Sequence, residues 1–172
     1  MKIKKTFTLL LLIFAGTNVG FSQVSNISQA QSLYIYNFSR LIQWPAGNQT
    51  GDFVIGVIGD DELYNSLNTY VANKKVGTQP IVIKKFDNPE SLTRCHIIFI
   101  GNGKVSFFED VISRLRGSNS LIITEKKGMI NLGSAIDFFQ EQDKLRFVIN
   151  SVNAQKYNLT VSKSLEDMAY RN

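Results

Sequence analysis

The stretch FVIGVIGDD, residues 53–61, decides the fold of this 172-residue chain. Residues 53–58 are apolar at almost every position, a pattern typical of a strand that is buried on both faces in a parallel sheet. Gly59 ends the strand, and the acidic residues 60–62 begin a helical pattern that runs to Val71. The stretch therefore predicts the first strand, turn and helix of an α/β domain.

The same alternation of strand and helix continues downstream. Short apolar runs predict strands at residues 80–83, 96–100 and 120–124, and an amphipathic pattern predicts a helix over residues 105–115. A short capped helix is expected at residues 88–90, because Pro is favoured at the first position of a helix. Strands that alternate with helices in this way predict a mostly parallel sheet with helices on both faces.

The C-terminal third departs from this alternation. Two apolar runs, residues 135–139 and 145–149, flank a polar turn and predict an antiparallel hairpin. Helices are expected at residues 151–157 and 163–170. The predicted fold is a three-layer α/β/α sandwich, with a mostly parallel central sheet and an antiparallel C-terminal hairpin.

Upstream of the first strand, the apolar residues of the segment 28–41 recur in steps of three and four, which predicts an amphipathic helix. Trp44-Pro45 ends that helix, because the residue before a proline avoids the helical conformation. A polar loop then leads into the strand.

The first 22 residues are typical of a secretory signal peptide. Lysines precede a short apolar segment, residues 7–15, and small residues follow where a signal peptidase would cleave, after Ser22. The apolar segment is shorter than the roughly 20 residues that a membrane-spanning helix needs. We expect export, and a mature single domain over residues 23–172 that does not span the membrane; a retained anchor is the alternative.

The positive charge of the chain is concentrated in this leader. Without its three lysines the formal net charge falls from +5 to +2. The remaining positive residues are scattered and lack the basic face with interleaved aromatic residues that nucleic-acid binders use. The composition therefore argues against a nucleic-acid partner.

The chain has one cysteine and one histidine, Cys95 and His96, next to each other in sequence. An intramolecular disulfide is impossible, and Cys95 is expected to be a small core residue. Neighbouring strand residues point to opposite faces, and a zinc site needs three or four ligands. We predict no metal site, no cofactor and no catalytic residues, with His96 as a hydrogen-bonded residue at a strand start.

Polar residues follow two of the predicted strands. Asp60 and Asp61 follow the first strand, and Asn102 and Lys104 follow the third. Ligands of open α/β sheets bind beside the carboxyl ends of the strands, so these four are candidate binding residues. The structural alternative is that the acids cap the next helix and that residues 101–104 form a tight turn, because they lack the spacing of a Walker loop.

Seven segments resemble the YfiR/HmsC-like periplasmic family, in the same order and over nearly all of the mature chain. The longest is AQSLYIYNFSRLIQWP, residues 30–45, which is similar to the opening helix of that family. The others are residues 55–61, 77–83, 95–100, 133–138, 146–150 and 159–169.

The resemblance implies a soluble periplasmic protein, present as a homodimer, that binds and represses the periplasmic part of an inner-membrane signalling enzyme. The implied partner is a diguanylate cyclase, whose product cyclic di-GMP promotes biofilm formation, or a sensor histidine kinase. Trp44 and its neighbouring aromatic residues are the candidate contact. Some members carry more cysteines, so the single Cys95 removes regulation by an intramolecular disulfide.

Two other function classes stay open. The chain could be a stand-alone periplasmic small-ligand binding lobe, whose site would comprise the turns after the strands and Glu125. It could also be a hydrolase in which Asp60 or Asp61 acts as a base beside His96, although no nucleophile or metal set supports this. We expect the regulatory binding protein and no enzyme activity.

Overall fold

The computed structural model describes residues 20–171 of the chain. The predicted signal peptide, residues 1–22, lies almost entirely outside these residues. Within the described range, none of the helices combines the length and the apolar character that crossing a membrane requires.

The described residues form five α-helices, nine strands and several short 3-10 helices. The α-helices are α1 (Gly20–Leu41), α2 (Asp61–Tyr70), α3 (Phe108–Arg114), α4 (Ser151–Gln155) and α5 (Lys163–Met168). The strands are β1 (Ile42–Gln43), β2 (Phe53–Ile58), β3 (Lys75–Val76), β4 (Gln79–Phe86), β5 (Ile97–Ile100), β6 (Leu121–Thr124), β7 (Ile136–Glu141), β8 (Lys144–Ile149) and β9 (Thr160–Val161). The 3-10 helices are Ala46–Asn48, Pro89–Ser91, Asn102–Phe107 and Met129–Asn131.

Seven of the strands form one sheet in the order β3-β4-β2-β5-β6-β7-β8. The five strands from β4 to β7 in that order are parallel, whereas β3 and β8 are antiparallel additions at the two edges. The predicted α/β class, with a mostly parallel sheet and an antiparallel C-terminal hairpin, is confirmed. A separate two-stranded antiparallel sheet joins β1 to β9.

Helices cover both faces of the sheet. Helix α2 leads from β2 to one side of it, and α3 leads from β5 to the other side, so right-handed crossovers place them on opposite faces. Helix α1 lies on the α2 face, where the Oγ of Ser32 donates to the Oγ of Ser66 at 2.9 Å. The Phe38 ring of α1 packs on Phe138 and Phe147 of the hairpin, with centroid distances of 5.8 and 5.0 Å.

Several element bounds differ from the predictions, and two of the differences have a clear physical reason. The predicted helix over residues 105–115 begins as the 3-10 turn Asn102–Phe107 and becomes α-helical only at α3, because Lys104 adopts a non-helical conformation (φ −124°, ψ 17°). The strand predicted over residues 80–83 is longer in the structure, where β4 spans Gln79–Phe86. Six residues of β4 pair with β2, and its first two residues pair with β3.

A buried carboxylate fixes the loop between β6 and β7. Asp137 is fully buried and accepts hydrogen bonds from the Oγ1 of Thr124 at 2.8 Å, the backbone N–H of Ile130 at 2.9 Å and the hydroxyl of Ser134. These donors compensate for the loss of water around the buried carboxyl group, which would otherwise be costly. The role of Asp137 is therefore to hold the fold.

Candidate functional site

The strand order creates a switch point between β2 and β5. After β2 the chain crosses to β4 on one side of β2, and it then returns to β5 on the other side. The connections that follow β2 and β5 therefore lead away from each other at the carboxyl ends of these two strands. Ligand sites of open α/β sheets lie in the crevice formed at such a point. Two of the predicted binding residues, Asp60 and Asn102, follow these two strands.

Two glycines bring the turns after β2 and β5 into close contact. A Cβ on Gly101 would lie 2.6 Å from the carbonyl oxygen of Gly59, well inside contact distance. Gly59 has a φ of +74°, and a Cβ there would collide with the side chain of Lys104. The crevice between the two turns is therefore narrow, and its backbone tolerates no side chain at either glycine.

The two acids after β2 have separate structural partners. The Oδ1 of Asp60 accepts the backbone N–H of Leu63 at 2.8 Å and caps α2. Asp61 is exposed and forms an ion pair with Lys85 of β4 at 2.8 Å. Asp60 is therefore a helix cap, as the structural alternative predicted, and Asp61 links the start of α2 to the neighbouring strand β4.

Helix α1 contacts the carboxyl edge through Gln31. Gln31 is fully buried, and its Nε2 donates to the Oε1 of Glu125 at 2.9 Å. The other carboxylate oxygen of Glu125 accepts the backbone N–H of Asn102 at 3.3 Å. Within the described residues, the Oε1 of Gln31 has no hydrogen-bond partner.

Burial perturbs both acids of this edge in the same direction. Desolvation raises the pKa of Glu125, and the nearby charge of Asp60 raises it further, against the hydrogen bonds from Gln31 and Asn102. Desolvation also raises the pKa of Asp60. The charged forms of these two carboxyl groups are disfavoured because both groups are partly withdrawn from water.

The remaining candidates lie around this edge without converging on one atom. The ammonium group of Lys104 lies 5.0 Å from the ring centroid of Phe107, a cation–π contact. A cavity of about 420 Å³ lies beside the ends of β5, β6 and β7, with Asn102, Glu125 and Lys127 among its lining residues. Gln31 was not predicted from the sequence, because its partner is 94 residues away along the chain.

Trp44 lies at the opposite edge of the sheet. Its ring contacts Phe53, the first residue of β2, at a centroid distance of 5.0 Å, and His96, just before β5, at 6.4 Å. The structure thus separates Trp44 from Asp60, Asn102 and the other candidates, which lie at the carboxyl edge.

His96 is the hydrogen-bonded hub of this amino edge. Its Nδ1 accepts the backbone N–H of Val54 at 3.0 Å, so its Nε2 carries the proton and donates to the carbonyl of Asn48 at 2.8 Å. The ring stacks on Phe53 with a centroid distance of 4.4 Å. Burial lowers the pKa of His96 and favours the neutral form. Both ring nitrogens are engaged, so His96 holds structure and is not placed as a base.

Cys95, next to His96, is buried and unreactive. Its Sγ lies 3.3 Å from the carbonyl of Thr93, and desolvation raises its pKa to about 11. A thiol with this pKa holds little thiolate at neutral pH, so it has little nucleophilic or metal-binding capacity. Among the residues described, no cluster of His, Cys, Asp and Glu could hold a metal ion.

A groove of about 690 Å³ adjoins Trp44, between the end of α1 and the β3–β4 hairpin. Its rim carries four exposed polar side chains, and the floor includes buried Trp44, whose indole Nε1 has no acceptor within residues 20–171. The four rim residues are Arg40, Gln43, Gln49 and Thr78.

A family model described as YfiR/HmsC-like matches residues 28–170. The chain belongs to the YfiR/HmsC-like family. The match includes residues 28–41 of α1 and every strand of the sheet, and all seven segments lie within it, so the resemblance to this family is confirmed. Membership of this family indicates a periplasmic regulatory role in cyclic di-GMP signalling.

Solved structures share the fold at low sequence identity. An ABC domain from Streptococcus pneumonia, in complex with L-Trp, matches with a TM-score of 0.54 and 13% identity over 83% of this chain. A conserved domain protein from Vibrio cholerae matches with a TM-score of 0.56 and 12% identity over 80% of this chain. This YfiR/HmsC-like chain spans 59% and 58% of their lengths. No curated protein matched the chain.

Proposed function

We propose that this YfiR/HmsC-like chain is a periplasmic regulatory protein that binds an inner-membrane signalling enzyme and represses it. The proposed partner is a diguanylate cyclase or a sensor histidine kinase with a periplasmic domain, and the proposed outcome is control of cyclic di-GMP and biofilm formation. Family membership supports the regulatory class.

One observation carries the choice between a surface binder and a crevice enzyme. The buried Gln31 of α1 lies beside the switch point and donates a hydrogen bond to Glu125. A helix of the chain itself thus covers part of the edge where α/β proteins usually hold small ligands, and the cavity of about 420 Å³ at that edge has no residue of the turn after β2 in its lining. His96, the only histidine of the chain, is committed to structural hydrogen bonds at the other edge. Both features favour a protein that acts through its surface.

The groove beside Trp44 is the proposed partner surface. It adjoins the end of the segment that resembles the family's opening helix, and its polar rim residues are exposed. We expect a periplasmic segment of the membrane enzyme to insert an apolar side chain against Trp44, with rim hydrogen bonds from Gln43 and Thr78. Repression then requires tighter binding to the inactive state of the enzyme than to its active state, since equal affinity would shift no population.

The test is capture of membrane proteins on the exported chain, after its location in the periplasmic fraction is checked. Recovery of a cyclase or histidine kinase with a periplasmic domain supports the proposal. Thr78→Arg places a bulky charge in the groove and should abolish capture, whereas the matched variant Gln140→Arg, an exposed position at the carboxyl edge, should not. A cytoplasmic location would sink the proposal, and a periplasmic protein without a membrane partner would favour the stand-alone ligand binder.

A further inference from the structure

A second cavity, of about 520 Å³, opens at the amino edge of the sheet. Three arginines line it: Arg94 from the loop before β5, Arg114 at the end of α3, and Arg116 two residues further on. They meet because β5 and β6 are parallel neighbours, so the segments that lead into the two strands share one edge.

These guanidinium groups have no carboxylate partner in the described part of the chain. The ion pairs of residues 20–171 join Asp61 to Lys85, and Asp167 to both Lys163 and Arg171. None of the cavity's lining residues is acidic. Because arginine stays charged at any physiological pH, the cavity holds three fixed positive charges whose mutual repulsion a bound anion would relieve.

One wall of the cavity is held in place by hydrogen bonds. The Nη2 of Arg94 donates to the Oδ1 of buried Asn48 at 3.0 Å, and the Nδ2 of Asn119 donates to the same oxygen at 2.8 Å. The carbonyl of Asn48 accepts from the Nε2 of His96. The guanidinium of Arg94 is therefore oriented before any ligand arrives, which lowers the entropy cost of binding.

We propose that this arginine cavity binds a small anion that bears a phosphate group. A guanidinium matches the oxygens of a phosphate through two parallel hydrogen bonds, and three of them can surround one group from different sides. The volume lies within the range of about 300–1,000 Å³ found for small-molecule sites, so the cavity has room for an organic phosphate ester. The cavity shares no lining residue with the groove beside Trp44, so a bound phosphate would leave that groove free.

The experiment is calorimetry on the exported chain at low ionic strength. The probes are inorganic phosphate, glycerol 3-phosphate, and vesicles that contain phosphatidylglycerol. We expect the two soluble phosphates to bind at one site per chain, and Arg114→Gln and Arg116→Gln each to weaken binding by about tenfold or more. The control Arg171→Gln removes the same charge from an exposed ion pair and should keep the affinity.

Stability measurements keep the result interpretable. Arg114 and Arg116 are exposed, so their replacement should leave urea unfolding unchanged, and a loss of binding then reports the site itself. A rise in Tm with phosphate, present in Arg171→Gln and absent in Arg114→Gln, supports the proposal. It is overturned if neither soluble phosphate binds, if only the vesicles bind, or if Arg171→Gln loses as much affinity as the cavity variants.

Discussion

The two edges of the sheet are built in contrasting ways. At the carboxyl edge, two turns touch through glycine backbone, a helix lies over them, and the buried Gln31 meets the partly desolvated Glu125. At the amino edge, neutral His96 and buried Asn48 form a hydrogen-bonded scaffold that leaves a groove and a cavity open on either side. When a chain covers part of the usual ligand crevice with its own helix, the opposite edge becomes a second place to look for binding surfaces.

The two edges also respond to pH with opposite sign. The pKa of His96 is lowered, so its contribution to stability is present above about pH 6.5 and is lost as the pH falls through its folded-state pKa. The pKa of Glu125 is raised, so its contribution is present below about pH 4.5 and is lost as the pH rises through its folded-state pKa. Acidification should therefore loosen the amino edge and tighten the carboxyl edge.

The largest effect is expected from detaching the helix that closes the carboxyl edge. Phe38→Ala removes a fully buried ring that packs on Phe138 and Phe147, and should lower the free energy of unfolding by about 4 kcal/mol. Urea unfolding measures the loss. Leu33→Ala on the same helix, at a position 43% exposed, should cost less than about 1 kcal/mol. Equal losses of stability in the two variants would mean that the Phe38 ring does not anchor α1 to the sheet.

A smaller loss is expected from breaking the amino-edge scaffold. His96→Ala leaves the backbone N–H of Val54 and the carbonyl of Asn48 without their partner and removes the stack on Phe53, at a cost of about 3 kcal/mol. His96→Phe keeps the stack and loses only the hydrogen bonds, so its unfolding midpoint in urea should lie between those of the native protein and His96→Ala. A His96→Phe variant as stable as the native protein would show that packing alone holds this edge.

The sheet could be predicted from the sequence because its central strands are buried on both faces. Every residue of β5 and β6 is buried, and such continuous apolar runs need no partner to be recognised. The two-residue strands β1, β3 and β9 could not be predicted, because they have no period of their own. Ile42 is a strand residue only because it pairs with Val161, far along the chain.

The site was harder to predict than the fold, because its groups come from separate segments. The position of Asp60 and Asn102 at the carboxyl edge could be predicted, because the ends of apolar runs mark that edge. Gln31 looks like any polar helix residue in the sequence, and the arginine cavity joins residues from the two sides of α3. One feature of the sequence could have indicated the arginine cavity. Residues that precede neighbouring parallel strands lie at the same edge of the sheet, so Arg94 and Arg116 are expected close together.

The close contact of the two carboxyl-edge turns can be tested at its glycines. Gly101→Ala directs a Cβ at the backbone oxygen of Gly59, which cannot move without shifting the turn, and should cost about 2 kcal/mol. Gly47→Ala, in the 3-10 helix Ala46–Asn48 at the other edge and with open space around it, should cost no more than about 0.5 kcal/mol. Thermal unfolding followed by circular dichroism compares the two, and a tolerated Gly101→Ala would mean that the turns are not in contact.

The smallest effect concerns the buried charge of Glu125 and depends on pH. Glu125→Gln removes a group whose charge is disfavoured by desolvation, so near pH 7 the variant should be more stable than the native protein, by less than about 1 kcal/mol because water still reaches part of the carboxylate. The gain should shrink as the pH falls toward about 4.5, where the native carboxyl becomes neutral in both the folded and the unfolded chain. His96 titrates in both proteins, so its loss of stability in acid cancels from the difference.

The matched control for this difference is Asp143→Asn, an exposed acid in the β7–β8 turn whose positive φ suits asparagine. Its stability relative to the native protein, measured over the same pH range, is the baseline for the removal of an exposed acid. If the Glu125→Gln difference does not depart from this baseline, the acid is not desolvated, and α1 does not shield Glu125 from water. If the stability difference grows in acid, the hydrogen bonds from Gln31 and Asn102 stabilise the carboxylate more than burial destabilises it. The two edges of the sheet would then differ in geometry but not in the sign of their pH response.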